Sequence, residues 1–307
     1  MDASAPEWAP EHEVGAELAA RLVGERWPEF RGVPVEPLAA GWDNTVFVVG
    51  GAWVFRFPRR SIAVPLLERE IAVLPFLAPR LPPAIPVPRY VARDPSPDYP
   101  WPFWGARMIP GRELADAGLG EDRRVRAAGD AGRFLRALHD PALVPQVELP
   151  YDPFRRADPS SRGPRARTRL AELARQGLWE SDPAVEALLD AAPDAPVPDG
   201  AVVCHGDLHP RHLMIGEGGA VAGVIDWGDL CLGDPAVDLS LAYGAFAGTA
   251  RAALLEAYGR PVGAAQETAA RVLALFVCSA LAEYAASEGN GALLAEALAG
   301  IGRSAAP

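Results

Sequence analysis

The first third of the chain alternates short apolar runs with turn-forming breaks, and the remainder follows helical spacing. Val14, Leu18, Leu22 and Val23 recur at helical intervals and predict a helix from Val14 to Trp27. Three strand-like runs follow, at Val35–Leu38, Val46–Val49 and Trp53–Phe57, and the Gly50-Gly51 pair between the last two is a hairpin signal. A charged helix is predicted over Val64–Leu77. A proline-rich connector then leads to strands at Arg89–Ala92 and Phe103–Ile109.

Beyond Leu114 the pattern is mostly helical. Gly129–His139 carries Phe134, Leu135 and Leu138 on one face, with His139 at the helix end. Tyr151–Pro164 is rich in Arg, Ser and Pro and reads as a loop or insertion. The arginine run Arg155–Arg175 reads as solvated. Short helices are predicted at Leu170–Leu178 and Ala184–Ala191, and strands at Val202–Cys204, Leu213–Ile215 and Val221–Ile225. Helices at Pro235–Ala247, Ala250–Tyr258 and Thr268–Ser287 complete the pattern. A β-rich first third joined to an α-rich remainder predicts an α+β chain of two lobes with a cleft between them, residues 1–109 and 110–307.

Composition narrows the options. With 307 residues and 50% hydrophobic content the chain can bury one large core or two unequal ones. No apolar run is expected to span a bilayer, and the acidic start, Met1–Trp8, lacks the layout of a signal peptide, so no membrane partner is expected. Cys204, Cys231 and Cys278 lie in apolar contexts without metal-type spacing. An odd number of such thiols fits a reducing compartment and predicts a cytoplasmic protein. A net charge of −11 argues against a nucleic-acid partner. The chain contains no lysine, since all 29 basic residues are arginines, which excludes both a P-loop and lysine-based covalent catalysis.

Three of the five histidines fall within His205-Gly206-Asp207-Leu208-His209-Pro210-Arg211-His212. A second acidic segment follows, Val224-Ile225-Asp226-Trp227-Gly228, in which an apolar strand ends in a carboxylate. Taken alone, these residues allow two chemistries. One is an aspartate acting beside metal ligands, and the other is a hydrolytic metal centre built on His205, His209 and His212, although no His-Glu-x-x-His is present. In Gly233-Asp234-Pro235-Ala236-Val237-Asp238, Asp234 is placed to cap the helix that Pro235 begins.

In order and spacing these segments resemble the catalytic and metal-binding loops of the aminoglycoside phosphotransferase family, including its macrolide phosphotransferases, a branch of the protein-kinase-like fold. The resemblance covers about Leu38 to Leu241. It implies a two-lobed protein-kinase-like fold with a small antiparallel-sheet N-lobe, which binds nucleotide, and a mainly helical C-lobe. It implies transfer of the γ-phosphoryl of ATP or GTP to a small-molecule hydroxyl acceptor, with Mg²⁺. Asp207 stands at the catalytic position, and His212 and Asp226 at the metal positions. Arg56, in Trp53-Val-Phe-Arg56, stands where a basic residue meets the α- and β-phosphates, and Glu70 stands where a glutamate pairs with it. Asn44 and Thr45 match the loop that covers the nucleotide, and Phe103–Gly111 resembles the purine-holding hinge. His205 and His209 are expected to brace the loop by hydrogen bonds.

Antibiotics of the aminoglycoside or macrolide type are the leading acceptors, with choline- or homoserine-like amino alcohols as an alternative. The substrate wall is expected from Arg155–Ala191 and Leu273–Leu298, where Glu283 and Glu288 could face a cationic sugar. A non-catalytic nucleotide-binding module is the alternative of another class. A protein kinase is disfavoured because Asp226 is not followed by Phe-Gly and no Ala-Pro-Glu segment follows. The chain is expected to act as a monomer or homodimer.

Overall fold

A computed structural model describes residues 10–41 and 43–306; the acidic start Met1–Trp8 and Trp42 lie outside the described residues. The chain divides into two compact units. The first is Met1–Pro79 with Ile85–Ile109, and the second is Arg80–Ala84 with Pro110–Pro307.

In the first unit, helix α1 (Ala16–Arg26) precedes strands β1 (Val35–Ala40), β2 (Asn44–Val49) and β3 (Trp53–Pro58). Helix α2 (Val64–Leu77) and strands β4 (Tyr90–Ala92) and β5 (Phe103–Arg107) follow. The five strands form one antiparallel sheet in the order β1-β2-β3-β5-β4. Gly50 and Gly51 both take positive φ (59° and 66°), the conformation that a two-residue hairpin turn requires and that glycine adopts without a steric penalty. Strand alternation sorts the two faces. Phe47, Phe55, Phe57 and Phe103 join Leu22 and Val23 of α1 in one core, while Trp104 and Ala106 pack on Leu67 and Ile71 of α2. Arg56 lies opposite Trp104 in the β3–β5 register and so shares the α2 face.

The second unit contains β6 (Arg112–Glu113), α3 (Glu121–Leu138), α4 (Pro159–Arg175), α5 (Pro183–Ala191), β7 (Val202–Cys204), β8 (Leu213–Ile215), β9 (Val221–Val224) and β10 (Cys231–Gly233). Helices α6 (Ala236–Ala245), α7 (Gly248–Tyr258), α8 (Ala264–Ser287) and α9 (Gly291–Ala305) complete it. Its strands form two small sheets, β10-β7 and β6-β8-β9. Ala84 belongs with this unit because it pairs with the β9 segment, accepting from Val224 N at 2.9 Å. Every residue of α6 is buried, and α8 packs on α4, α6 and α9.

Three expectations need correction. Tyr151–Pro164 is not a loop throughout, because Asp158 accepts from Ser160 N at 3.0 Å and, with Pro159 in the first turn, starts α4, which continues through Pro164. Helix α3 begins at Glu121, well ahead of Gly129, behind a charged first turn that carries no apolar stripe. Helix α8 is, by length and composition, long and apolar enough to cross a membrane, contrary to the expected lack of any such run. More than half of that apolar window is buried inside the protein, as in a core helix.

Candidate functional site

The loop after β7 is held from behind by a buried carboxylate. Asp238 of α6 accepts from His205 N (2.8 Å), Gly206 N (3.0 Å) and His139 Nε2 (3.1 Å), and the Tyr258 hydroxyl lies 3.2 Å from His139 Nδ1. Burial raises the pKa of Asp238, but the His139 hydrogen bond and charge, with the neighbouring backbone donors, outweigh it and leave the carboxyl below its ordinary value. Burial pushes the Tyr258 phenol up to about 12, so it stays neutral beside His139. Gly206 sits at φ 90°, where a Cβ would come within 2.1 Å of the Asp229 carbonyl oxygen, so the turn requires glycine.

His205 braces the same loop from the other side. Its Nδ1 accepts from Asp207 N (3.3 Å), which assigns the proton to Nε2, the donor to Ile225 O at 2.9 Å. The ring packs 4.7 Å from the buried Trp227, whose indole N–H donates to Val224 O. Burial lowers the His205 pKa despite the opposing Asp238 charge, and the imidazole stays neutral. With both nitrogens engaged, His205 cannot join a three-histidine metal centre. His209 accepts from Arg211 N through Nδ1 and turns Nε2 toward Asp207 Oδ2 at 3.6 Å.

Asp207 keeps 42% of its side chain exposed. Burial of its surroundings would raise its pKa, but the His209 and His212 imidazoles overcome that effect and hold it at about 2. His212 donates from Nδ1 to the Asp207 carbonyl oxygen (2.7 Å), which leaves the Nε2 lone pair facing Asp226 Oδ2 at 3.5 Å. Burial, and then His209, lower the His212 pKa and favour the neutral ring that a metal needs. Asp226 follows β9 at φ 63°, a left-handed conformation that aspartate tolerates better than most residues. Ile225 N bonds His212 O at 3.0 Å and ties the two segments together. An imidazole nitrogen and a carboxylate oxygen at this separation, with the imidazole orientation fixed by its other nitrogen, fit a shared divalent cation. Ligand atoms of Asp207, His209 and His212 also lie within 4.8 Å of one another.

In the first unit, Arg56 Nη1 binds Glu70 Oε1 at 2.9 Å, and Trp104 Nε1 donates to Glu70 Oε2 at 3.2 Å. Glu70 is 1% exposed. With its amide oxygen toward Arg56, Asn44 accepts from Nε and Nη2 at 3.2 Å each. The Asn44 side chain therefore positions Arg56. Thr45 is part of β2, paired with Ala40 and Phe57.

Several site residues were not legible beforehand. Asp238, His139 and Tyr258 form the brace described above, and His139 acts through hydrogen bonds as well as standing at a helix end. Arg156 pairs with Asp152 (2.6 Å) and with Asp229. The signal available for Asp238 was an acid inside an otherwise uncharged helix. A cavity of about 160 Å³ opens beside Asp207, with Arg156, Arg162, Val237, Leu273 and Phe276 among its walls.

A model of the phosphotransferase enzyme family (APH) matches residues 34–274. The aminoglycoside 3'-phosphotransferase of Streptomyces fradiae is 32% identical over 167 residues, which is 52% of this chain and 58% of that protein. The chain spans 58% or less of the length of the curated relatives it matches. Among solved structures, the GDP complex of aminoglycoside 2'-phosphotransferase-IIIa superposes with a TM-score of 0.68 at 18% identity, covering 95% of this chain and 99% of that one. A macrolide 2'-phosphotransferase type I gives 0.57 at 24% identity, over 94% and 98% of the two chains. The α+β, kinase-like fold expected from the sequence is the fold of these structures.

Proposed function

The chain belongs to the phosphotransferase enzyme family, and on that premise we propose that it is a small-molecule kinase. It transfers the γ-phosphoryl of ATP or GTP to an acceptor hydroxyl. The observation that carries this reading is the arrangement around Asp207: an ionised, half-exposed carboxylate backed by two imidazoles, beside the facing pair His212 Nε2 and Asp226 Oδ2.

A carboxylate held at about 2 is a weak base toward a free alcohol. Asp207 therefore acts first by accepting a charge-assisted hydrogen bond that orients the hydroxyl. The new O–P bond forms as the bond from phosphorus to the β-phosphate oxygen breaks. The hydroxyl proton passes to the Asp207 carboxylate and then to solvent, and a nucleoside diphosphate leaves. His212 and Asp226 would hold Mg²⁺, which when bound neutralises phosphate charge. Arg56, steadied by Glu70 and Asn44, takes the α- and β-phosphates, and Thr45 with the β1–β2 turn covers them. Arginine binds phosphate through a planar fork where lysine offers a point charge. The three cysteines are free and buried, which supports the cytoplasmic reading.

The test is a phosphorylation screen of aminoglycosides, macrolides and small amino alcohols with Mg²⁺ and either nucleotide. The expected result is transfer of labelled γ-phosphate to at least one acceptor. Nucleotide binding with neither acceptor phosphorylation nor acceptor-stimulated hydrolysis would instead make the chain a binding module. Asp226→Ala is expected to remove the Mg²⁺ dependence of nucleotide affinity in calorimetry. Unchanged Mg²⁺-dependent affinity would refute its assignment.

A further inference from the structure

We propose that the acceptor is a small hydroxyl compound bearing a carboxylate, and that Arg162 is the residue that binds it. This deepens the kinase reading and rests on it. Arg162 is 5% exposed and lines the same cavity as Asp207. Its Nη2 donates to Phe154 O at 2.5 Å, while its buried Nε–H has no hydrogen-bond partner. Among the described residues Arg162 forms no ion pair, whereas its neighbour Arg156 is engaged by Asp152 and Asp229. A guanidinium this far removed from water and without a paired carboxylate is unfavourable unless a ligand supplies the counter-charge.

The surroundings oppose a polycation. The Arg162 guanidinium lies 5.1 Å from the Phe276 ring centroid, and Arg169 lies 5.1 Å from the same centroid. Arg169 in turn holds Glu283 at 2.6 Å. Of the two acids expected to face a cationic sugar, Glu283 is thus already neutralised. An aminoglycoside entering this cavity would add ammonium groups beside Arg162, while a carboxylate offers two oxygens that match the guanidinium fork. Size points the same way. About 160 Å³ is below the roughly 300–1,000 Å³ of pockets that enclose drug-sized ligands. A hydroxy acid of a few carbons would place its hydroxyl at Asp207, its carboxylate at Arg162 and its chain along Val237, Leu273 and Phe276.

The experiment compares L-homoserine and 4-hydroxybutyrate with their neutral amides, and with kanamycin, as acceptors for the full chain with Mg²⁺ and ATP or GTP. The acids are expected to exceed the amides at least tenfold in kcat/KM, chiefly through KM. Arg162→Gln should raise KM for the acids tenfold or more and abolish the preference for acids over amides, and Arg162→Lys should restore part of that preference. If kanamycin is the better acceptor, if the amides equal the acids, or if R162Q keeps the preference, the proposal is overturned while the kinase reading stands. If no compound in this panel or the broader screen is phosphorylated, both fall. Should R162Q fail to fold, thermal protection of the wild-type chain with Mg²⁺ and ADP decides. Protection by 4-hydroxybutyrate and none by its amide supports the proposal, and equal protection or none overturns it.

Discussion

Replacing Asp238 with asparagine tests how the Asp207 loop is held. Asp238 is fully buried, and one of its oxygens accepts from both His205 N and His139 Nε2 while the other accepts from Gly206 N. An asparagine has one acceptor oxygen and one NH₂ group, so either orientation sets an N–H donor against another donor. Hydrogen bonds to a charged group contribute about 1.5–3 kcal/mol each, and breaking a buried charged pair costs about 3–5 kcal/mol. Because the three bonds share one carboxylate, their contributions do not add, and the expected loss is about 3–5 kcal/mol. For a unit of this size that lowers Tm by roughly 6–20 °C, at about 2–4 °C per kcal/mol. Thermal denaturation followed by circular dichroism gives the shift, and kcat measured below both transitions reports the loop. Tyr258→Phe removes only the outer hydrogen bond and should cost about 1 kcal/mol. A D238N protein with Tm within about 2 °C of wild type and unchanged kcat would refute the brace.

Three further outcomes are expected. Gly206→Ala places a Cβ 2.1 Å from Asp229 O at φ 90°, so strain of about 1–3 kcal/mol and a displaced carbonyl should lower both Tm and kcat; wild-type kinetics would show that the turn tolerates a side chain. Glu70→Gln weakens the hold on Arg56 and should raise KM for nucleotide several-fold with little change in acceptor KM, measured by steady-state kinetics in both substrates. If acceptor KM alone moves, the phosphate role of Arg56 is wrong. Because burial lowers the His205 pKa, the unfolded chain takes up a proton near pH 6.5 that the folded chain does not. This contribution to stability is complete above about pH 6.5 and declines as pH falls, by up to about 1.4 kcal/mol per unit, until the folded pKa is reached. Urea titrations at pH 7 and pH 5 should show the decline, and a matched His205→Gln series should show a smaller one; identical declines would refute the attribution.

What could be read from the sequence depended on whether local spacing carried the signal. The Gly50-Gly51 hairpin and α2 follow from turn chemistry and helix periodicity over short distances, the Arg56–Glu70 pairing follows from the family resemblance, and each has a structural counterpart. Helix α4 was hidden because Pro159 and Pro164 resemble loop residues when the Asp158 cap is not seen as one. The Arg155–Arg175 run looked solvated because arginine usually is. Arg156 and Arg162 depart from this partly through contacts with Asp229 and Phe276, 73 and 114 residues away, which no local pattern encodes. The link between Asp238 and His139 spans 99 residues and is invisible for the same reason. Helix α8 was missed as a bilayer-length segment because its apolar residues belong to a helical core.

The central claim is that Asp207 orients the acceptor and takes its proton. Asp207→Asn preserves size and removes the charge, and the measurement is single-turnover phosphoryl transfer alongside calorimetric nucleotide affinity in the same protein. The account predicts a loss of at least a hundredfold in transfer, as expected for a general acid–base residue, with nucleotide affinity within about twofold of wild type. Transfer at the wild-type rate in D207N, with nucleotide bound normally, would contradict it.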